Sequence, residues 1–239
     1  TNYRLSDYYI MDGGVKKSLG STFHATGAGK ITPKALTATV VNNHITKVYD
    51  AMDDQTDGNR NIIKGDALVT LSGFVGSETR TNTSTAKYAS KNVVLSGGNP
   101  TTQAVTYTAS FDRGTGAESD NYTLGTQGAL PALSSKTLSG SYTGTITPRP
   151  VKVKFADATK IYDGTTAADA SQFRATLNNV VTGEENSVTA TAAGAAYNDK
   201  NVAGANKVSY TGVALTGTGA GNYTIADTAQ GTGTITKRA

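Results

Sequence analysis

Ile146-Thr147-Pro148-Arg149-Pro150-Val151-Lys152-Val153 runs, after a short spacer, into Lys160-Ile161-Tyr162-Asp163-Gly164-Thr165-Thr166, and the chain has already written this once. Earlier, Ile31-Thr32-Pro33-Lys34-Ala35-Leu36 leads in the same way into Lys47-Val48-Tyr49-Asp50. Both runs go on to an Asn-Tyr-Thr-aliphatic tetrad, residues 121–124 and 222–225, and the chain opens on a relative of it, Asn2-Tyr3-Arg4-Leu5. Recurrence at a near-constant period is the mark of repeated structural units. Asp50 and Asp163 stand 113 residues apart, and Lys91-Asn92-Val93 recurs 109 residues on as Lys200-Asn201-Val202. Each copy therefore has the size of one small domain. The expected division is 1–32 as the end of a preceding copy, 33–148 as a first full copy and 149–239 as a second. The opening in mid-repeat reads as a segment of a longer protein.

Composition narrows the class. Trp and Cys are absent, and only 17% of residues are charged. Thr and Val favour strands while Gly and Asn supply turns. Lacking cysteine, the chain has no disulfide, no zinc–thiolate site and no thiol nucleophile. The net charge of +4 is spread without a basic block, so nucleic acid is not an expected partner. No apolar run is long enough for a membrane helix, and membrane insertion is not expected.

Within the second copy, Val151, Val153 and Phe155 alternate with Lys152 and Lys154, the period of a half-buried strand. Leu36, Ala38 and Val40 alternate with Thr37 and Thr39 at the matching place. Val105-Thr106-Tyr107-Thr108 recurs as Val208-Ser209-Tyr210-Thr211, with Val105, Tyr107, Ala109 and Phe111 expected on one face. Thr143-Gly144-Thr145-Ile146-Thr147 recurs as the final strand, residues 232–236, and runs through Ile-Thr-Pro into the next copy without a Gly/Ser linker. A Gly-acid turn is expected to precede a Val-Thr strand in each copy, Gly65-Asp66 before Val69-Thr70 and Gly183-Glu184 before Val188-Thr189.

The expectation is all-β, with about six to eight strands per copy. The copies read as small β-sandwich or β-grasp-like domains joined end to end in an elongated rod, the β-grasp variant resting on a short helix within residues 167–181. The first copy is the decorated one, with insertions at 51–64 and 125–142.

Candidate chemical motifs reduce mostly to structure. Gly27-Ala28-Gly29-Lys30 lacks the earlier Gly and the following Ser/Thr and helix of a phosphate loop. His24 and His44 lack a partner cluster. Residues 53–59 approximate a calcium loop, which makes Asp53 and Asp57 the metal candidates, but Lys64 stands where the bidentate Glu belongs; a polar turn is the competing reading. Asn82, Asn121 and Asn222 begin sequons. In the repeated tetrads, however, the Tyr is expected to fill the core and the Asn to make the turn. Tyr162 is expected to bury its ring, and Asp163-Gly164 to form a tight turn with Gly at positive φ. With Ala51 in place of that Gly, the first copy needs a different turn.

Taken together, Ile-Thr-Pro-Arg-Pro, Lys-Ile-Tyr-Asp-Gly-Thr-Thr, Asp199-Lys200-Asn201-Val202, Gly-Ala-Gly-Asn-Tyr-Thr and Gly-Thr-Ile-Thr resemble the YDG repeats of large bacterial haemagglutinin-like exoproteins and adhesins. The resemblance covers residues 146–237 in order and is looser over 31–147. It implies a secreted, cell-surface repeat region without catalytic residues or cofactor, and it transfers no enzyme activity. Two roles follow. One is a stalk whose partners are the adjoining repeats of the same chain. The other is an adhesin module whose inserted loops bind a host glycan or host surface protein, since binding concentrates in loops.

Overall fold

The computed structural model describes residues 9–18, 29, 31–41, 44–112, 121–124, 136–172 and 174–239. Contacts divide the chain into two compact units, Thr1–Pro33 and Lys34–Ala239. In the first, β1 (Tyr9–Asp12) and β2 (Val15–Ser18) pair antiparallel around Gly13-Gly14. Both glycines have positive φ, 58° and 84°, the conformation a two-residue hairpin turn requires to match strand twist. Ile31 and Thr32 lie outside any strand, and Ile31 is 97% exposed. Among the described residues no strand pairs with them.

The second unit begins with β3 (Lys34–Val40), β4 (His44–Val48), β5 (Val69–Ser72), β6 (Thr85–Tyr88), β7 (Leu95–Ser96), β8 (Asn99–Pro100), β9 (Thr102–Ser110), β10 (Tyr122–Leu124) and β11 (Thr137–Thr147). After Pro148 come β12 (Arg149–Phe155), β13 (Ala158–Ile161), β14 (Ala167–Ala168), β15 (Ala175–Asn178), β16 (Thr189–Thr191), β17 (Gly194–Tyr197), β18 (Lys207–Thr211), β19 (Ala214–Thr216), β20 (Tyr223–Ala229) and β21 (Gly231–Thr236). The described strands outnumber the expectation because several are ladders of only two or three residues.

Strand order recurs between the copies. The sheet β10-β3-β5 reappears as β20-β12-β15, and β4-β11-β9-β6 reappears as β13-β21-β18-β17, with β14 added at the edge. Parallel and antiparallel pairings also correspond, down to register: Thr143 pairs with Ala104, and Thr232 with Lys207. The protein is all-β, and no described residue is α-helical. The described residues of 167–181 hold two strands and a 3-10 turn, Ala170–Gln172, where the β-grasp variant needs a helix.

Alternation explains which faces are buried. Val151, Val153 and Phe155 point inward while Lys152 and Lys154 are exposed, and Val105, Ala109 and Phe111 are buried with Tyr107 packed beside them. The cores of the copies do not end at Pro148. Val151, Val181, Val188 and Tyr223 from the second copy share one apolar cluster with Leu36, Tyr49, Val105 and Ile146 from the first. Two smaller clusters complete the second copy, one around Val153 and Phe155 and one around Val208 and Ile235.

One expected correspondence is shifted. β5 is equivalent to β15, so Thr70-Leu71-Ser72-Gly73-Phe74-Val75 matches Thr176-Leu177-Asn178-Asn179-Val180-Val181, and Glu78 matches Glu184. Val188-Thr189 instead leads into β16, which pairs with β19. Both strands satisfied the same Val-Thr pattern, and only the sheet partner distinguishes them.

Each Lys-x-Tyr-Asp element is a lysine cradle. Lys47 Nζ donates to Asp50 Oδ1 at 2.8 Å and to the carbonyls of Met52 and Asp54 at 2.7 and 2.8 Å. Lys160 Nζ donates to Asp163 Oδ1, Thr165 O and Ala167 O at 2.8, 2.8 and 2.9 Å. All three ammonium protons are used, so the lysine stitches the turn to its strand. Burial would raise the Asp50 carboxyl pKa, but hydrogen bonds from Lys47, Thr56 and the Met52 N–H outweigh it and hold the group low. Asp163 is pulled to about 2, chiefly by Lys160 and then by the Thr165 N–H.

The copies differ in what covers the cradle. The insertion folds over the first one, burying Gln55 and Thr56, and the Tyr142 hydroxyl donates to Gln55 Oε1 at 2.8 Å. The second cradle lies near the surface. Ala51 also departs from expectation, since the turn is kept rather than replaced. Ala51 has φ 66° where Gly164 has φ 81°, and Met52 N–H and Thr165 N–H bond the respective Asp at 2.9 Å. A left-handed alanine is strained by its Cβ at a cost of about 1 kcal/mol.

Removing Lys47 strands a buried carboxylate. Lys47→Met is expected to cost about 3 kcal/mol and Lys160→Met about 1 kcal/mol or less, read from denaturant midpoints. In the same assay Ala51→Gly is expected to stabilise by about 0.5 kcal/mol or less, the relieved strain being partly offset by the added chain entropy.

Candidate functional site

Tyr49 closes the first copy and faces the second. Its hydroxyl donates to the Glu184 carboxylate, 2.7 Å from Oε1 and 2.9 Å from Oε2. The Tyr223 hydroxyl donates to Glu184 Oε2 at 2.7 Å and accepts from Val181 N–H at 3.3 Å. The two rings meet edge to face, centroids 5.4 Å apart at 77°, the arrangement ring quadrupoles favour. Lys91 Nζ approaches Glu184 Oε1 to 3.8 Å. Beside this cluster, Val93 N–H donates to Asn222 Oδ1 at 2.9 Å, and Asn222 Nδ2 donates to Asn92 Oδ1 at 3.1 Å.

The junction is therefore made by repeated residues. The first copy supplies the Tyr of Lys-x-Tyr-Asp and the Lys-Asn-Val turn; the second supplies Glu184 and the Asn-Tyr of its tetrad. Within the first copy Tyr122 repeats the incoming half, donating to Glu78 Oε2 and accepting from Val75 N–H at 3.0 Å, with Phe74 packed edge-on. Tyr122 and Tyr223 fill the core as the tetrad reading expects. Tyr162 does not: it is 37% exposed, whereas Tyr49 is fully buried. Nothing in the Tyr-Asp motif itself distinguishes them; the neighbouring copy over Tyr49 does.

A cleft of about 530 Å³ adjoins the junction. Thr56, Asp57, Arg60 and Ile63 of the insertion line one side, Arg149 and Asn179 of the second copy the other. Arg149 is oriented by Asn179, with Nε to its carbonyl at 2.8 Å and Nη2 to Oδ1 at 2.7 Å. Two guanidinium groups at one opening suit an anionic or hydroxyl-rich ligand.

The calcium candidates serve separate partners. Asp53 takes Lys87 Nζ at 3.1 and 3.3 Å. Asp57 closes its own turn, accepting from Asn59 N–H, Asn61 N–H and Asn61 Nδ2 at 2.8–3.0 Å. No group of three or more His, Cys, Asp or Glu gathers among the described residues. Asn82 spends its amide on Asp66 and Val69, and Asn222 spends its amide on the junction. His24, residues 113–120 and residues 125–135 of the second insertion lie outside the described residues, and His44 sits in β4.

Glu184, Asn222 and Arg149 escaped the sequence reading as site residues. Their signal was recurrence: a Glu five residues after a repeated Asn/Gly-aromatic/Val step, and a Lys-Asn-Val turn without chemistry of its own. Residues 147–231 match the YDG domain. No curated protein and no solved structure matches the chain.

The junction tyrosines predict an alkaline weakness. Burial first, and then the Glu184 carboxylate, pushes Tyr223 up to about 12 and Tyr49 upward as well. The folded state thus holds these protons more tightly than the unfolded chain, whose tyrosines titrate near 10. Their stabilising contribution is complete below pH ~10 and is lost as pH rises through ~12. Melting temperature is expected to fall across that window, and less steeply in Tyr49→Phe; equal slopes would contradict the assignment.

Proposed function

We propose that the chain is a spacer segment of a secreted bacterial surface adhesin, a haemagglutinin-like exoprotein whose repeats hold a binding part away from the cell. The supporting observation is the junction. An apolar cluster continues across Pro148, and the residues that seal it are those the copies repeat. A spacer needs each repeat to be held against the next, because a flexible joint lets the presented part collapse back. Strand β11 passes into β12 through one proline, which fixes φ and leaves little slack. The proposed rod, its surface location and its non-enzymatic role follow from this reading together with the YDG resemblance.

A second reading has one observation in its favour. The cleft between the insertion and Arg149 is positioned for a host glycan or host protein with an acidic or hydroxylated group. Two measurements separate the readings. In the spacer, residues 34–239 tumble as one body in ¹⁵N relaxation, and binding to a host glycan and host-cell protein panel stays at background. Independent tumbling of the second copy contradicts the spacer. Avid binding lost in Arg60→Ala moves the function to the cleft.

A further inference from the structure

The face that the first copy turns toward the second exists again, uncovered, on the second copy. Tyr49 corresponds to Tyr162, and Lys91-Asn92-Val93 to Lys200-Asn201-Val202. The local geometry is held in the same way. Tyr49 N–H donates to Thr147 O and Tyr162 N–H to Thr236 O, each at 2.9 Å. Thr147 Oγ1 donates to Lys47 O and Thr236 Oγ1 to Lys160 O, each at 3.2 Å. The Lys-Asn-Val turn is pinned in both copies by the side chain two residues before Asn, Ser90 Oγ taking Asn92 N–H at 3.0 Å and Asp199 Oδ1 taking Asn201 N–H at 2.9 Å. Yet Tyr162 and Val202 are each more than a third exposed, in a protein whose equivalent tyrosine is completely buried.

We propose that Tyr162, Lys200, Asn201 and Val202 form a docking surface for a further repeat of this kind. That repeat presents a glutamate, a tyrosine and an asparagine equivalent to Glu184, Tyr223 and Asn222. The inference deepens the spacer reading and rests on it. Its occupant is set by continuity with the junction already formed in this molecule and by charge, since Lys200 stands where Lys91 approaches Glu184. The complementary half is also present twice. Glu78, Tyr122 and Asn121 of the first copy repeat the incoming set. The residues following β21, Lys237-Arg238-Ala239, occupy the register of Pro148-Arg149-Pro150 after β11. A contact between unlike halves is head-to-tail, which propagates rather than closing into a dimer.

In docking, the Tyr162 hydroxyl donates to the incoming carboxylate. Val202 N–H meets the incoming asparagine Oδ1, and the tyrosine ring takes the edge-to-face position that Tyr49 holds against Tyr223. The repeated motifs thus acquire a common purpose, since Tyr-Asp, Lys-Asn-Val and Asn-Tyr-Thr are the two sides of one interface.

The test extends the full chain by a second copy of its own residues 148–239, placed directly after Thr236. Tyrosines are nitrated with tetranitromethane and located by peptide mass spectrometry. In the original chain Tyr162 reacts and Tyr49 is protected. In the extended chain Tyr162 is expected to be protected about tenfold or more, as a contact buried in the stable fold. Glu184→Ala made in the appended copy alone is expected to restore much of that reactivity. Equal nitration of Tyr162 in both chains overturns the proposal. So does an appended copy that stays unfolded, because the same residues fold against the equivalent face of the first copy. Protection of Tyr162 combined with avid host-ligand binding at the cleft keeps the docking surface and ends the spacer reading; a reactive Tyr162 on a chain whose residues 34–239 still tumble as one body does the reverse.

Discussion

A single carboxylate, Glu184, sits between two tyrosine hydroxyls from different copies, and the organisation of residues 34–239 depends on it. Hydrogen bonds to a charged acceptor are stronger than neutral ones, about 1.5–3 kcal/mol each. Here they also fix orientation. Tyr49 and Tyr223 share Glu184 while their rings meet edge to face, so one arrangement of the two rings satisfies both contacts. The apolar cluster supplies attraction without direction, and the polar cluster selects one arrangement from those that attraction permits.

The lysine cradles serve the same end from below. Lys47 and Lys160 anchor the turn after the tyrosine to its own strand, which presents the ring at a defined height. The first copy hides its cradle beneath the insertion, so the insertion has a structural occupation in addition to lining the cleft. This tempers the argument that loops of this kind exist to bind. It also explains how the first copy tolerates alanine in a left-handed turn: a buried, fully bonded cradle compensates for strain that an exposed one offsets less well.

Much of the fold was legible in the residues because strand burial is written with a period of two. The faces carrying Val151-Val153-Phe155 and Val105-Ala109-Phe111 needed nothing beyond that alternation. Pairing was less legible. Val69-Thr70 and Val188-Thr189 look alike in sequence yet bond to different partners, since local pattern does not encode which strand lies alongside. The site was hardest to read. Tyr49 and Tyr162 have nearly identical neighbours in sequence, and their burial differs through residues more than a hundred positions away. Glu184 looked like a turn acid until its correspondence with Glu78 was set by the sheets. Asp53 and Asp57 carried the right alternation for calcium, but each had a nearer partner, Lys87 for one and its own turn for the other.

Calorimetry on the unmodified chain and on Tyr49→Ala tests most directly whether the junction makes the two copies one cooperative structure. A junction that couples the copies gives a single transition for residues 34–239, with calorimetric and van't Hoff enthalpies in agreement. In Tyr49→Ala, which removes a fully buried ring at a cost of about 3–5 kcal/mol, that transition separates into two. Two independent transitions in the unmodified chain, or a Tyr49→Ala chain that still unfolds in one step, would contradict it.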